Sequence, residues 1–280
     1  MKIRISILAA IALAMTACTG HGRGDKPILA VSVPQISEMV STIAGPGYDV
    51  VCLTEGGADP ESFEPTPSVM SKLARAEAFF TTGTLPFEHT LAASLPVGAY
   101  EVELSRGLDL ISGTHEDSTM TDPHIWASLH NLSQMSSTVE AWLCDAQPDS
   151  TQAYVLRAGR WRERCHRAYL AADTLLAAAG RPAFGVWHPS LSYFARDFGL
   201  KQIAVGAEHR ELSPRHMRAA IDSLRAADVK VLFYDHPGQS GPASVAAEAG
   251  ADAVLLESVP ADYMNFIVET ARTIADAQQH

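Results

Sequence analysis

Residues 183–205 read AFGVWHPSLSYFARDFGLKQIAV. An apolar run at 183–187 gives way to an amphipathic stretch at 190–198, and a second apolar run follows at 202–205. That order is strand, helix, strand. The alternation continues with apolar runs at 229–234 and 253–256 and helical stretches at 214–227 and 243–249. An earlier series has the same character, with strands expected at 28–33, 48–53, 78–81 and 100–104 and helices at 36–43 and 68–76. Strands alternating with helices build parallel sheets covered by helices on both faces. Two such series predict an α/β fold with two lobes.

Between them lies the most helical part of the chain, from Asp149 or Ser150 to Gly180. Asp149 and Ser150 suit an N-cap, Gly180 suits the position just past a helix end, and Pro182 forbids continuation. About 29 residues would span about 43 Å. The segment is either a rod joining the lobes or a long helix inside one of them. The expected division is signal peptide 1–17, tether 18–27, first lobe 28–148, linking helix 149–180 and second lobe 181–280.

The first residues, MKIRISILAAIALAMTAC, combine a basic start at Lys2 and Arg4 with an apolar core and small residues before Cys18. That pattern is a secretory signal, too short to span a bilayer comfortably. A Cys directly after the small residues resembles the bacterial lipoprotein processing box, with Met15 where Leu is commoner. Cys18 would then carry the lipid and 19–26 (TGHGRGDK) would be a flexible tether; plain secretion is the alternative. Removing residues 1–17 takes two positive charges and no negative ones, so a net charge of −11 becomes −13. So acidic a surface repels phosphate backbones, which argues against nucleic acid and for cations. The remaining Cys52, Cys144 and Cys165 are too few for a disulfide scaffold. Cys144 and Cys165 are also offset by about 11 residues about the 148–150 turn, roughly 16 Å of axial slip.

In open parallel sheets, ligands bind beyond the carboxyl ends of the strands. Glu61 and Glu64 follow the strand at 48–53, and a long loop with His115, Glu116, Asp117, Asp122 and His124 follows 100–104. His188 directly follows 183–187, Glu257 directly follows 253–256, and Asp235-His236 follow 229–234. Imidazole with carboxylate is the ligand chemistry of Zn²⁺ and Mn²⁺. Taken singly, each residue reads more readily as a loop, cap or turn residue than as a ligand; their joint placement points to a metal.

The sequence resembles the metal-receptor lipoproteins of bacterial ABC importers for zinc and manganese, along nearly all of the mature chain. GADPESFEPTPSVMSKLARAEAFFTTG is similar to that family's first metal loop, helix and strand. DPHIW resembles its second ligand motif, WHPSLSYFARDFGL its third and LESVPADYMNFI its fourth. The resemblance implies two lobes joined by a long helix, with one metal ion in the cleft between them. It implies Glu61, His124, His188 and Glu257 as ligands. Glu61 stands where the family usually has His, and Glu257 where it usually has Asp. His at the third position resembles the zinc branch, whereas Glu61 hardens the site towards manganese.

The implied function is capture of a divalent metal, zinc first and manganese second, for delivery to a membrane permease. The chain would be an exported monomer, held to a bacterial membrane by the Cys18 lipid. His115 lies in an acidic loop that either captures metal loosely or is merely solvated. His236 is a candidate additional ligand or a partner of one. His89, His130, His166, His209, His216 and His280 suit surface or packing roles. Trp126 and Trp187 adjoin the ligands and would wall the site from water. The rival reading is a secreted zinc hydrolase in which His124, His188 and one carboxylate hold Zn²⁺ and Glu61 acts as general base. No HExxH pair, G-x-S-x-G elbow or Gly-rich phosphate loop supports it. Both histidines must be neutral to bind metal, so affinity is expected to fall below about pH 6.

Overall fold

The computed structural model describes residues 26–54, 59–112, 121–206, 213–239, 241–256 and 262–279. Its first sheet is built from β1 (Ile28–Val31), β2 (Asp49–Cys52), β3 (Ala76–Thr81) and β4 (Tyr100–Glu103). The second contains β5 (Phe184–Val186), β6 (Gln202–Ala204), β7 (Val231–Tyr234) and β8 (Asp252–Leu255). All pairings are parallel, and the orders β2-β1-β3-β4 and β6-β5-β7-β8 are the same arrangement used twice. Both series of strands thus occur where the apolar runs stand, each within a residue or two of the expected ends. The order places a switch point between β1 and β3 in one lobe and between β5 and β7 in the other, where neighbouring loops leave in opposite directions.

The helices are α1 (Pro34–Ala44), α2 (Pro67–Leu73), α3 (Pro86–Ala92), α4 (Leu129–Ala146), α5 (Thr151–Ala178), α6 (Ser192–Phe198), α7 (Pro214–Ala226), α8 (Pro242–Ala249) and α9 (Tyr263–Asp276). The sequence reading did not single out α3, α4 or α9. Ser and Thr dilute α4, yet its buried stripe Leu129, Leu132, Met135, Val139 and Leu143 has helical spacing.

Helix α5 links the lobes, but it is no bare rod. Its buried residues Tyr154, Ala158, Trp161, Cys165, Ala168, Ala172 and Leu176 recur every three or four positions. The helix packs along α1 and α4 of the first lobe and along α9, which returns from the second. Its start falls where expected, with Ser150 at the N-cap position, but Ser150 makes no side-chain cap, and the chain enters through a 3-10 turn at Pro148–Ser150. Its end is as expected: Gly180 has φ 78°, its N–H reaches Ala177 O, and Arg181 N–H reaches Leu176 O at 2.8 Å. These bonds make a Schellman motif, in which glycine escapes the Cβ penalty of positive φ.

Charged groups tie the spine to its neighbours. The Arg157 guanidinium donates to the last carbonyls of α1, Ile43 O at 2.7 Å and Ala44 O at 3.0 Å. Arg164 reaches Glu38 on α1 and Asp262, the N-cap of α9. One apolar core runs through both lobes, from Leu29, Phe79 and Phe80 to Phe184, Phe194, Phe233 and Ile267. A smaller cluster with Leu224, Leu232 and Val245 fills another part of the second lobe. Among the described residues, Cys52, Cys144 and Cys165 form no disulfide. Among the described residues no helix is long and apolar enough to cross a membrane.

Candidate metal centre

The loop after β2 presents Glu61. Asp59 Oδ1 accepts the Glu61 N–H at 2.9 Å and its Oδ2 accepts the Ser62 hydroxyl at 3.0 Å. That side chain-closed turn fixes the backbone, and Phe63 anchors the loop by packing edge-on against Phe87. The Glu61 side chain is left only 9% exposed.

His124 stands after the long excursion that follows β4. Asp122 Oδ1 accepts both the His124 backbone N–H and its Nδ1–H, each at 2.9 Å. A carboxylate on Nδ1 orients the ring and leaves Nε2 for the site. The edge of Trp126 lies against the imidazole, with ring centroids 5.3 Å apart. His188 follows β5 at the switch point of the second sheet, where Trp187 N–H still pairs with Phe233 O. The Trp187 ring lies against Gly241, where an added Cβ would come within 2.7 Å of it.

Three ligand atoms meet between the lobes. Glu61 Oε1 is 3.1 Å from His124 Nε2 and 3.3 Å from His188 Nε2, and the two Nε2 atoms are 3.3 Å apart. A tetrahedral zinc with bonds of about 2.0–2.1 Å spaces its ligand atoms about 3.3–3.4 Å apart. The triangle therefore has the dimensions of one face of that tetrahedron. Among the described residues, Glu61, His124 and His188 form a group able to hold a metal ion.

Electrostatics confirm how tightly these groups are coupled. Burial opposes a charged imidazole, but hydrogen bonds and charge from Asp122 and Glu61 outweigh it and raise the His124 pKa to about 9. Burial likewise opposes a charged Glu61, yet hydrogen bonds from His124 and His188 hold its carboxyl far below the usual range. Asp122 is also lowered, with His124 outweighing burial. These shifts favour an imidazolium between two carboxylates in the metal-free centre near neutral pH. The expected loss of affinity below about pH 6 is thus displaced upward, because a metal must first expel this proton.

The remaining candidates separate clearly. Glu64 and His236 are exposed and outside the group. His89, His130, His166 and His216 lie on α3, α4, α5 and α7 and do not join it. Glu257, His115, Glu116, Asp117, His209, His280 and Cys18 lie outside the described residues. The place of Asp122 in the sequence marks it only as a loop carboxylate, although an Asp two residues before a candidate ligand His can reach its Nδ1.

A two-lobed α/β protein whose lobes both supply imidazole or carboxylate atoms to one buried point is a solute-binding receptor for a metal cation. The family model for the periplasmic component A of zinc-uptake complexes, ZnuA, matches residues 29–277, and the chain belongs to that family. It is similar to the high-affinity zinc uptake system protein ZnuA of Bacillus subtilis, at 23% identity over 90% of this chain and 87% of that protein. It is also similar to the manganese-binding lipoprotein MntA of Halalkalibacterium halodurans, at 22% identity over 95% of this chain and 88% of that one. A crystal structure of ZnuA superposes with TM-score 0.82 at 26% identity, covering 91% of this chain and all of that one. A manganese-bound periplasmic metal-binding protein from Candidatus Liberibacter asiaticus gives 0.79 at 25% identity, covering 90% of this chain and 100% of that chain. The chain is accordingly an extracytoplasmic metal-binding receptor of an import system and not an enzyme. The hydrolase reading finds no support in these matches.

Proposed function

We propose that this chain captures one divalent ion, zinc first and manganese second, through Glu61, His124, His188 and Glu257, and passes it to the membrane permease of an ABC importer. The observation that carries this reading is the triangle of Glu61 Oε1, His124 Nε2 and His188 Nε2, with sides of 3.1–3.3 Å. Glu257 follows β8 in the sequence, where Leu256, the last described residue, donates its N–H to Tyr234 O at the end of β7. His188 follows β5, the neighbour of β7 on its other side. With Glu257, each lobe supplies two ligands and no position is left for a reactive water. The chain works as a monomer tethered through a lipid on Cys18, with lobes 28–148 and 181–280 about the helix 149–180. The core shared by both lobes restricts release to small motions of ligand loops rather than wide opening.

Competition titration of chelator-stripped protein tests the reading. One zinc per chain should displace manganese. Glu257→Ala should weaken both ions, and manganese more, because the harder ion loses a carboxylate. Glu257→Ala with unchanged affinity for both would remove it from the ligand set.

A further inference from the structure

We propose that Tyr193 is a positioning residue for His124, acting from the second lobe on a ligand of the first. The inference rests on the receptor reading above and adds how the spacing of the two imidazoles is set. Tyr193 lies on α6, which begins four residues after His188, and it is fully buried. Its hydroxyl accepts the Ile111 N–H at 3.1 Å and donates to Asp122 O at 2.9 Å. Ile111 and Asp122 are themselves joined, since Asp122 N–H donates to Ile111 O at 2.9 Å, beside an antiparallel bridge between Ser112 and Thr121. One phenol therefore closes the neck of the excursion after β4, at the residue whose carboxylate holds His124 Nδ1.

The next turn of α6 grips the same segment on its flanks. Arg196 donates to Asp109 O at 2.5 Å and to Asn131 Oδ1 at 3.3 Å. Asp197 Oδ2 accepts the Ser128 hydroxyl at 2.5 Å, at the N-cap of α4. A short helix that starts beside one imidazole thus fixes the backbone around the other. Only a group that donates and accepts at once can bridge an N–H and a C=O this way. Phenylalanine keeps the ring but strands the buried Asp122 carbonyl and takes the partner from the part-buried Ile111 N–H, and the Asp122 backbone is then free to shift.

The test compares Tyr193→Phe with Tyr169→Phe. Tyr169 touches α6 from the α5 side, donating to Asp197 O at 3.4 Å and stacking on Phe198. Both variants should lower the melting temperature. Only Tyr193→Phe should weaken zinc, about tenfold and by faster release, as loss of a partner behind a ligand does. Only it should alter the visible ligand-field bands of the Co²⁺-loaded protein. Wild-type affinity and wild-type Co²⁺ bands in Tyr193→Phe would overturn the proposal while leaving the receptor reading intact. Equal zinc and Co²⁺ changes in both variants would also overturn it, by showing general loosening of α6. A wild-type protein that took up neither metal would instead sink the receptor reading, and this proposal with it.

Discussion

Replacing His124 by alanine should reduce zinc affinity by two to three orders of magnitude, while His130→Ala leaves it unchanged. Structural zinc sites are worth about 10–16 kcal/mol in total, so each of four ligands carries about 3–4 kcal/mol, or roughly 2–3 decades in Kd. His124 is the best held of the described candidate ligands, with Asp122 on Nδ1 and Trp126 packed T-shaped against its ring. Its loss also leaves Glu61 a buried charge with one imidazole partner instead of two. His130 sits six residues away but is exposed on α4, so it controls for removal of a histidine as such. Chelator competition measures both variants. A His124→Ala protein holding zinc within threefold of wild type would show that the triangle is not the binding site.

Zinc uptake should release close to one proton at neutral pH, and affinity should climb about tenfold per pH unit from pH 6.5 to 8.5. The His124 pKa of about 9 in the metal-free centre is the cause, since a metal needs the neutral imidazole. The metal-free fold should show the opposite trend. A raised imidazole pKa stabilises the folded state fully below the unfolded value of about 6.5, and the gain disappears as pH rises through about 9. Heating scans of stripped protein across that range should show the decline, and zinc-loaded protein should not. Calorimetry in buffers of different ionisation enthalpy counts the proton. A flat affinity over this range with no proton released would contradict the imidazolium between two carboxylates.

Much of this architecture was legible before any coordinates. The inner strands β1, β3, β5 and β7 stand on short apolar runs, because a buried parallel strand leaves so plain a mark, and the more exposed outer strands follow from the alternation with helices. The end of α5 was legible too, since Gly180 and Pro182 allow little else. Its start was legible in place but not in detail: Ser150 is at the N-cap position, yet it makes no side-chain cap and a 3-10 turn at Pro148–Ser150 supplies the entry. Helix α4 hid behind its Ser and Thr residues and is held by burial rather than propensity.

The centre was legible as a set of residue types at strand ends, and the resemblance carried the choice among them. Glu61 and Glu64 differ by three positions in one acidic loop, and the Asp59 turn and the Phe63 contact set the buried one apart from the exposed one. Asp122 and Tyr193 depend on contacts made across the lobes or within a tight turn, which residue spacing does not report. The expected pH window shifts for the same reason: a histidine in isolation titrates near its ordinary value, whereas hydrogen bonds and charge from Asp122 and Glu61 raise His124 to about 9.

The central claim is that one metal lies between the lobes on two imidazoles and carboxylate oxygen. X-ray absorption at the zinc edge of the loaded protein tests it most directly. The account predicts about four nitrogen or oxygen neighbours near 2.0 Å with outer-shell scattering from two imidazole rings, and no sulfur near 2.3 Å. A sulfur neighbour, which would implicate a thiol such as Cys52, or a shell without imidazole scattering would contradict it.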